Sequence, residues 1–307
     1  LCQETNFDFE ILLGEDHSYD GTRDICIDYA KRYPNKIRLF LHHRENNIKI
    51  GGQPTGRFNF LYNLYSAKGK YIAICEGDDY WTDPLKLQKQ VDFLEENEEY
   101  VLCFTNCSTI DSSGQIKSPK HLDYSEDKSF SAKDLIFIPP TLTCVFKNEA
   151  FKPTPIFFEM NEAHGDMKLF IELLNKGKAK YLNFFSAHYR RHSGGIWSSA
   201  DDLSKRKSRF EIAYYGLVVT NQENKFIFFR EALIELSKLL RHGTKNHQLK
   251  LHKFNKGYRK YIDLNASHLF YFKLYLFFLK TPFLPNSIIS RIQLRIIKER
   301  FQKQNSI

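Results

Sequence analysis

Glu76-Gly77-Asp78-Asp79 places three carboxylates within four residues, directly after the hydrophobic run Tyr71 to Cys75. A hard divalent cation such as Mg2+ or Mn2+ takes oxygen ligands of this kind and keeps room for phosphate oxygens. On extended backbone adjacent side chains point to opposite sides. One of Asp78 and Asp79 can therefore reach a cation while the other faces a second part of the same ligand, and Glu76 points with Asp78. Glu15-Asp16 ends another apolar run, Phe9 to Gly14, and leads into Asp20-Gly21-Thr22. Read alone, either acidic group is equally a solvated turn that caps the following helix.

The surrounding elements decide where these carboxylates stand. Phe9 to Gly14, Ile37 to His42, Tyr71 to Cys75 and Tyr100 to Ile110 read as strands. Helical stretches separate them: Thr22 as N-cap through Tyr33, stopped by Pro34; Asn59 to Ala67, with Gly69 past its end; and a helix opened by Asp83 as N-cap and Pro84 at its first position, with Leu87, Val91 and Leu94 on one face. A glycine-rich loop, Gly51 to Gly56, precedes Arg57. Further on, Asp166 to Lys176 reads as a helix, Tyr181 to Tyr189 as a strand, and residues from Leu203 as mostly helical. Alternating strands and helices predict an α/β fold with an open, mostly parallel, Rossmann-like sheet flanked by helices. In such sheets ligands sit beyond the carboxyl ends of the strands, where Glu15-Asp16 and Glu76 to Asp79 lie.

The 307 residues, 42% hydrophobic and 26% charged, describe a folded globular chain. A formal charge of +9 suits nucleic acid, an anionic membrane surface or a phosphorylated substrate. No zinc-finger spacing, RNA-binding aromatic motif or long basic run is present, so nucleic acid is not an expected partner. The six cysteines include no CxxC pair and lie mostly in apolar runs, which reads as buried, reduced thiols of a cytoplasmic protein. No apolar run approaches the roughly 20 residues that span a bilayer.

The cluster Glu15-Asp16-His17-Ser18-Tyr19-Asp20-Gly21-Thr22, the cluster Glu76 to Pro84, and the stretch with Asn59 and Ala67-Lys68-Gly69-Lys70-Tyr71-Ile72 occur in the order seen in the family 2 glycosyltransferases. The chain resembles that family over residues 1 to 110 and more loosely over 140 to 198. The resemblance implies the GT-A fold and a metal-dependent inverting transferase. It moves a sugar from a nucleotide-sugar donor, most simply a UDP-sugar, to a hydroxyl of a glycan or lipid-linked acceptor in bacterial surface polysaccharide synthesis. Carried over by position, Asp16 with Glu15 binds the base, Asp78 the ribose, and Asp79 the Mn2+ or Mg2+ that bridges the diphosphate, with Glu76 beside it. Glu15 and Glu76 stand where the family usually has Asp. Inversion needs a base for the acceptor proton. The family places it at a helix start, which gives Asp166, with Glu162 and His164 as alternatives and a plain helix cap as the competing reading. Arg190-Arg191-His192 through Trp197 resembles the family's mobile loop over the diphosphate, with Arg190, His192 and Trp197 as the contacts and one of the two arginines merely solvated. Arg57 either reaches the nucleotide or forms a surface ion pair.

The resemblance divides the chain into a catalytic domain, 1–200, whose first strand is expected upstream of Leu1, and a helical C-terminal extension, 201–307. The basic, aromatic tail from Lys250 either completes a core or lies against an anionic membrane, peripheral to its cytoplasmic face. Two other functions fit the residues less well: a sugar nucleotidyltransferase, and a non-catalytic carbohydrate- or membrane-binding protein of the same fold.

Overall fold

The computed structural model describes residues 1–50, 53–134, 139–154, 157, 165–192 and 201–221, together with residues 224, 225, 227, 228, 231, 232, 234 and 235. The chain forms two compact units, Leu1–Ala200 and Asp201–Ile307. The tail from Lys250 lies outside the described residues.

In the first unit, β1 (Ile11–Glu15) pairs in parallel with β2 (Ile37–Leu41), and α1 (Thr22–Arg32) connects them. A short antiparallel ribbon, β3 (Lys49–Ile50) and β4 (Gln53–Pro54), leads into α2 (Arg57–Ser66). The remaining elements are β5 (Tyr71–Ala73), β6 (Tyr80–Trp81), α3 (Lys86–Glu96), β7 (Tyr100–Ile110), β8 (Ile116–Ser118), β9 (Lys128–Phe130), β10 (Val145–Lys147), α4 (Gly165–Leu174) and β11 (Lys178–Arg190). They build a sheet of order β5-β10-β7-β11-β6, with β8 on β7 and β9 on β11. The chain is therefore α/β with a mixed sheet. The long β7–β11 ladder is parallel, while β5, β6, β8, β9 and β10 join antiparallel partners. The antiparallel additions β6, β8, β9 and β10 are only two or three residues long. That is too short for an alternating pattern to show in sequence.

Burial follows the sequence pattern. Leu102, Cys103, Phe104 and Cys107 of β7 are almost wholly buried, as expected of a central strand covered on both faces. Leu87, Val91 and Leu94 of α3 pack with Cys103 and Val145. In α4 every residue from Met167 to Leu174 is buried, so the start of that helix is held rigidly. Four cysteines are buried, whereas Cys2 and Cys75 are exposed. No described helix is long and apolar enough to cross a membrane.

Two helix starts differ from the sequence reading in detail. Gly21, not Thr22, occupies the cap of α1, with φ 91°. Asp20 Oδ1 accepts the Thr22 N–H at 3.1 Å, so the turn is made by a left-handed glycine after an Asp side-chain hook. Asp83 does act as a cap: its Oδ1 accepts the Leu85 N–H at 2.9 Å, although regular helix begins at Lys86.

Gly14 is where α2 meets β1. Asn59 Nδ2 donates to the Gly14 carbonyl at 2.9 Å, and Asn63 Nδ2 donates to Asn59 Oδ1 at 3.2 Å. A Cβ on Gly14 would lie 1.7 Å from Asn59 Oδ1. Gly14→Ala must displace that amide and move α2 off the strand. A thermal melt should show a loss of about 1–3 kcal/mol, the usual cost of overpacking.

Candidate active site

The two acidic clusters stand at strand ends, but their members do different work. Glu15, the last residue of β1, is 3% exposed. Its Oε1 accepts the Ser18 N–H, and Arg23 Nη1 lies 3.4 Å from its Oε2. Burial opposes its charge, but hydrogen bonds from Ser18 and His17 and the Arg23 guanidinium outweigh it and hold the carboxyl below its ordinary range. The resemblance gives Glu15, with Asp16, to the nucleotide base; in the structure its carboxylate is engaged by Ser18 and Arg23. Asp16, one residue on, is half-buried, and its Oδ1 is enclosed without a partner among the described residues. Burial raises its pKa, with Glu15 adding to the shift and His42 and Arg44 opposing it. His17 between Asp16 and Ser18 takes a left-handed φ of 61°, which is uncommon for a residue other than glycine.

The Asp78-Asp79 turn is braced by β11. The Arg190 N–H donates to Asp79 Oδ1 at 2.7 Å, and Arg190 Nε donates to the Asp78 carbonyl at 2.9 Å. Arg190 Nη1 also donates to the carbonyls of Asp111, at 3.0 Å, and Ser112, at 3.3 Å. His192 Nε2 lies 3.2 Å from Asp78 Oδ2. The guanidinium assigned by sequence to a diphosphate is thus occupied by backbone carbonyls. The reason is strand alternation: Arg190 faces the turn, and its neighbour Arg191, whose N–H continues the ladder to the Ile110 carbonyl at 2.8 Å, is the exposed one.

Glu76 is exposed to solvent, with protein atoms gathered around its carboxyl group. Burial, then the Asp79 charge, and further on Asp166 and Asp78 push its pKa up to about 7. Burial and Asp78 push Asp79 to about 6, against the Arg190 N–H bond and the charges of Arg190 and His192. Asp166 enters this field from the first turn of α4, where its Oδ1 accepts the Met167 N–H at 2.8 Å. Asp166, about 90 residues along the chain, thereby adds its charge to the field at Glu76, the neighbour of Asp79. Arg57 begins α2 beside the same helix start: a Cβ on Gly165 would lie 3.8 Å from its Nε. Trp197, Glu162, His164, Gly51 and Gly52 lie outside the described residues.

Among the described residues no group of three or more His, Cys, Asp and Glu side chains converges to enclose a metal ion. The donor chemistry still suits a hard cation of the Mg2+ or Mn2+ type, which takes one or two carboxylates and completes its shell with water and phosphate oxygens. Asp79 keeps Oδ2 for such a role once Oδ1 has bound Arg190, and burial together with the neighbouring carboxylates raises the pKa of both Glu76 and Asp79. Sequence reading missed His42, which follows β2 and is 7% exposed. The rule that ligands gather at carboxyl ends of strands pointed to this position; only its neutral charge kept it from notice.

An α/β sheet with carboxylates gathered at its strand ends defines a ligand-binding α/β protein. Comparison with known sequences makes this specific. The profile of Glycosyl transferase family 2 matches residues 1–154, half of the chain, and the chain belongs to that family. An uncharacterized protein of Mycobacterium tuberculosis is 34% identical over 220 residues, covering 71% of this chain and 60% of its own. The chain therefore spans three fifths of the length of that relative. EpsE of Bacillus subtilis, named as a glycosyltransferase, is 30% identical over 142 residues, 46% of this chain and 48% of its own. WfaP of Escherichia coli, named as a UDP-Glc:alpha-D-GlcNAc-diphosphoundecaprenol beta-1,3-glucosyltransferase, is 27% identical over 198 residues, 63% of this chain and 70% of its own.

Proposed function

We propose that the chain is an inverting glycosyltransferase that moves a sugar from a UDP-sugar to a hydroxyl of a glycan or lipid-linked acceptor, in bacterial surface polysaccharide assembly at the cytoplasmic face of the membrane. Family membership and the name of EpsE support sugar transfer, and the name of WfaP supports a UDP-sugar donor and a lipid-linked acceptor. The observation that carries the reading is the Asp78-Asp79 turn, held by the Arg190 N–H on Asp79 Oδ1 with Oδ2 left over, while the charge of Asp166 is felt at nearby Glu76. One carboxylate stands at the head of a buried helix, across from a cluster suited to a diphosphate-bound cation.

The roles follow from position. Asp79, with Glu76, would hold Mn2+ or Mg2+, and such a cation would neutralise charge on the departing diphosphate. Asp78, steadied by His192, faces the ribose, and Asp16 faces the base. Arg190 keeps the Asp78-Asp79 turn in shape. Asp166 accepts the proton of the acceptor hydroxyl as that oxygen bonds to the anomeric carbon. The bond from that carbon to the diphosphate breaks, and the nucleoside diphosphate leaves on the opposite face, which inverts the centre.

The test is transfer from a panel of nucleotide-sugars to a lipid-linked acceptor, with Mn2+ or with chelator. Turnover of a UDP-sugar only with the cation is the expected result. Turnover that ignores the chelator overturns the metal assignment, and absence of nucleoside diphosphate binding overturns the site.

A further inference from the structure

Asp16 and His42 are neighbours across the β1–β2 pair. The register matches Glu15 with Leu41, and the His42 N–H donates to the Glu15 carbonyl at 2.9 Å, so the next residues on each strand stand side by side. In a parallel pair, side chains at matched positions leave on the same side of the sheet. Both present an enclosed polar atom with no partner among the described residues: Oδ1 of Asp16 and Nε2 of His42. His42 is 7% exposed and cannot turn freely. Phe58 and Tyr62 meet its ring edge-on, with centroids 5.2 and 5.0 Å away, and Phe40 lies along it. Their closeness is also felt electrostatically, since His42 opposes the upward shift of Asp16. Buried polar groups are nearly always hydrogen-bonded in a finished structure. Glu15 Oε2 and His17 Nδ1 on the same turn also lack a hydrogen bond, but Glu15 Oε2 has the Arg23 guanidinium 3.4 Å away. Asp16 Oδ1 and His42 Nε2 stand at matched positions of the two strands, one acceptor beside one ring nitrogen, as the edge of a ligand would require.

We infer that His42 is a specificity-determining residue for the donor nucleobase: its Nε2–H and the Asp16 carboxylate together read an edge that offers an N–H beside a carbonyl, as uracil does at N3 and O4. This rests on the nucleotide-sugar reading of the site. Asp16 accepts from N3–H, and His42 donates to the carbonyl. Cytosine carries an amine where uracil has O4, which meets the His42 Nε2–H donor to donor, and its bare N3 leaves the Asp16 oxygen unpaired; both are costly for buried groups. Discrimination by a buried hydrogen-bonding pair is stronger than by shape alone.

The experiment is calorimetric binding of UDP, CDP and GDP, in Mn2+, to the wild type, His42→Phe and His42→Gln, with a thermal melt of each. The wild type should prefer UDP over CDP by about tenfold or more. His42→Phe should lose most of that preference, and His42→Gln, whose amide can still donate, should retain part of it. If His42→Phe weakens all three nucleotides alike, or leaves UDP binding and the UDP preference intact, His42 only packs the loop and the inference falls while the nucleotide site stands. If His42→Phe fails to fold, the UDP-to-CDP ratio of His42→Gln decides: an unchanged ratio overturns the inference and a reduced one supports it. If the wild type binds no nucleoside diphosphate, this inference and the site reading fall together.

Discussion

Asp166→Asn should lower turnover by about 10²–10⁴-fold, the usual worth of a positioned general base, with nucleotide-sugar affinity little changed. Asparagine has nearly the same shape and can still accept the Met167 N–H that Asp166 Oδ1 now holds at 2.8 Å. Helix α4 is buried along its length and has no reason to move. A mere cap would therefore survive the substitution, and a base would not. Single-turnover transfer with a saturating donor separates the two outcomes. A variant within a few-fold of the wild type would reduce Asp166 to a helix cap, the reading that its position alone equally allows.

Asp79→Ala should abolish the response to Mn2+ and cut transfer by about 10²–10³-fold, the scale of losing one preorganised electrostatic contact to a leaving group. Asp79→Asn is the informative partner, because its amide oxygen still accepts the Arg190 N–H while the charge is gone. The two variants should agree on activity if the charge matters, and disagree if only the brace does. The pH dependence has a definite sign. Glu76 is raised from 4.5 to about 7 and Asp79 from 3.8 to about 6. Between about pH 4 and 7 the native chain holds more protons than the unfolded chain, so this pair's contribution to stability is greatest at low pH and falls as pH rises through that window. A bound divalent cation reverses the cause, because it favours the ionised forms. The Mn2+-induced rise in melting temperature, measured against chelator, should therefore grow from about pH 5 to pH 7, flatten above it, and vanish in Asp79→Ala. A shift independent of pH would mean the cation binds elsewhere.

The sequence by itself determined the elements that are long and periodic. Strand β7 occupies the predicted span Tyr100–Ile110, and α3 buries Leu87, Val91 and Leu94 as their spacing requires. It also placed both acidic clusters beyond strand ends, because apolar runs and turn residues are local signals. Linked motifs pointed to the family in the same way. What the tertiary structure decided is which side chains remain available. The family resemblance nominated Glu15 and Arg190 as ligands by their place in its motifs. The fold turns Glu15 inward to Ser18 and Arg23, and it spends Arg190 on three backbone carbonyls. No local pattern reveals such commitments, since the partners of Arg190 lie about 80 to 110 residues away in the chain. Asp16 and His42 stand side by side only because β1 and β2 lie in one parallel register, and the charge of Asp166 reaches Glu76 only because of where the fold places α4. Residue type and spacing can nominate a carboxylate for chemistry. Only the folded chain, by using up some polar groups and stranding others in enclosed positions, decides which of them are left to act.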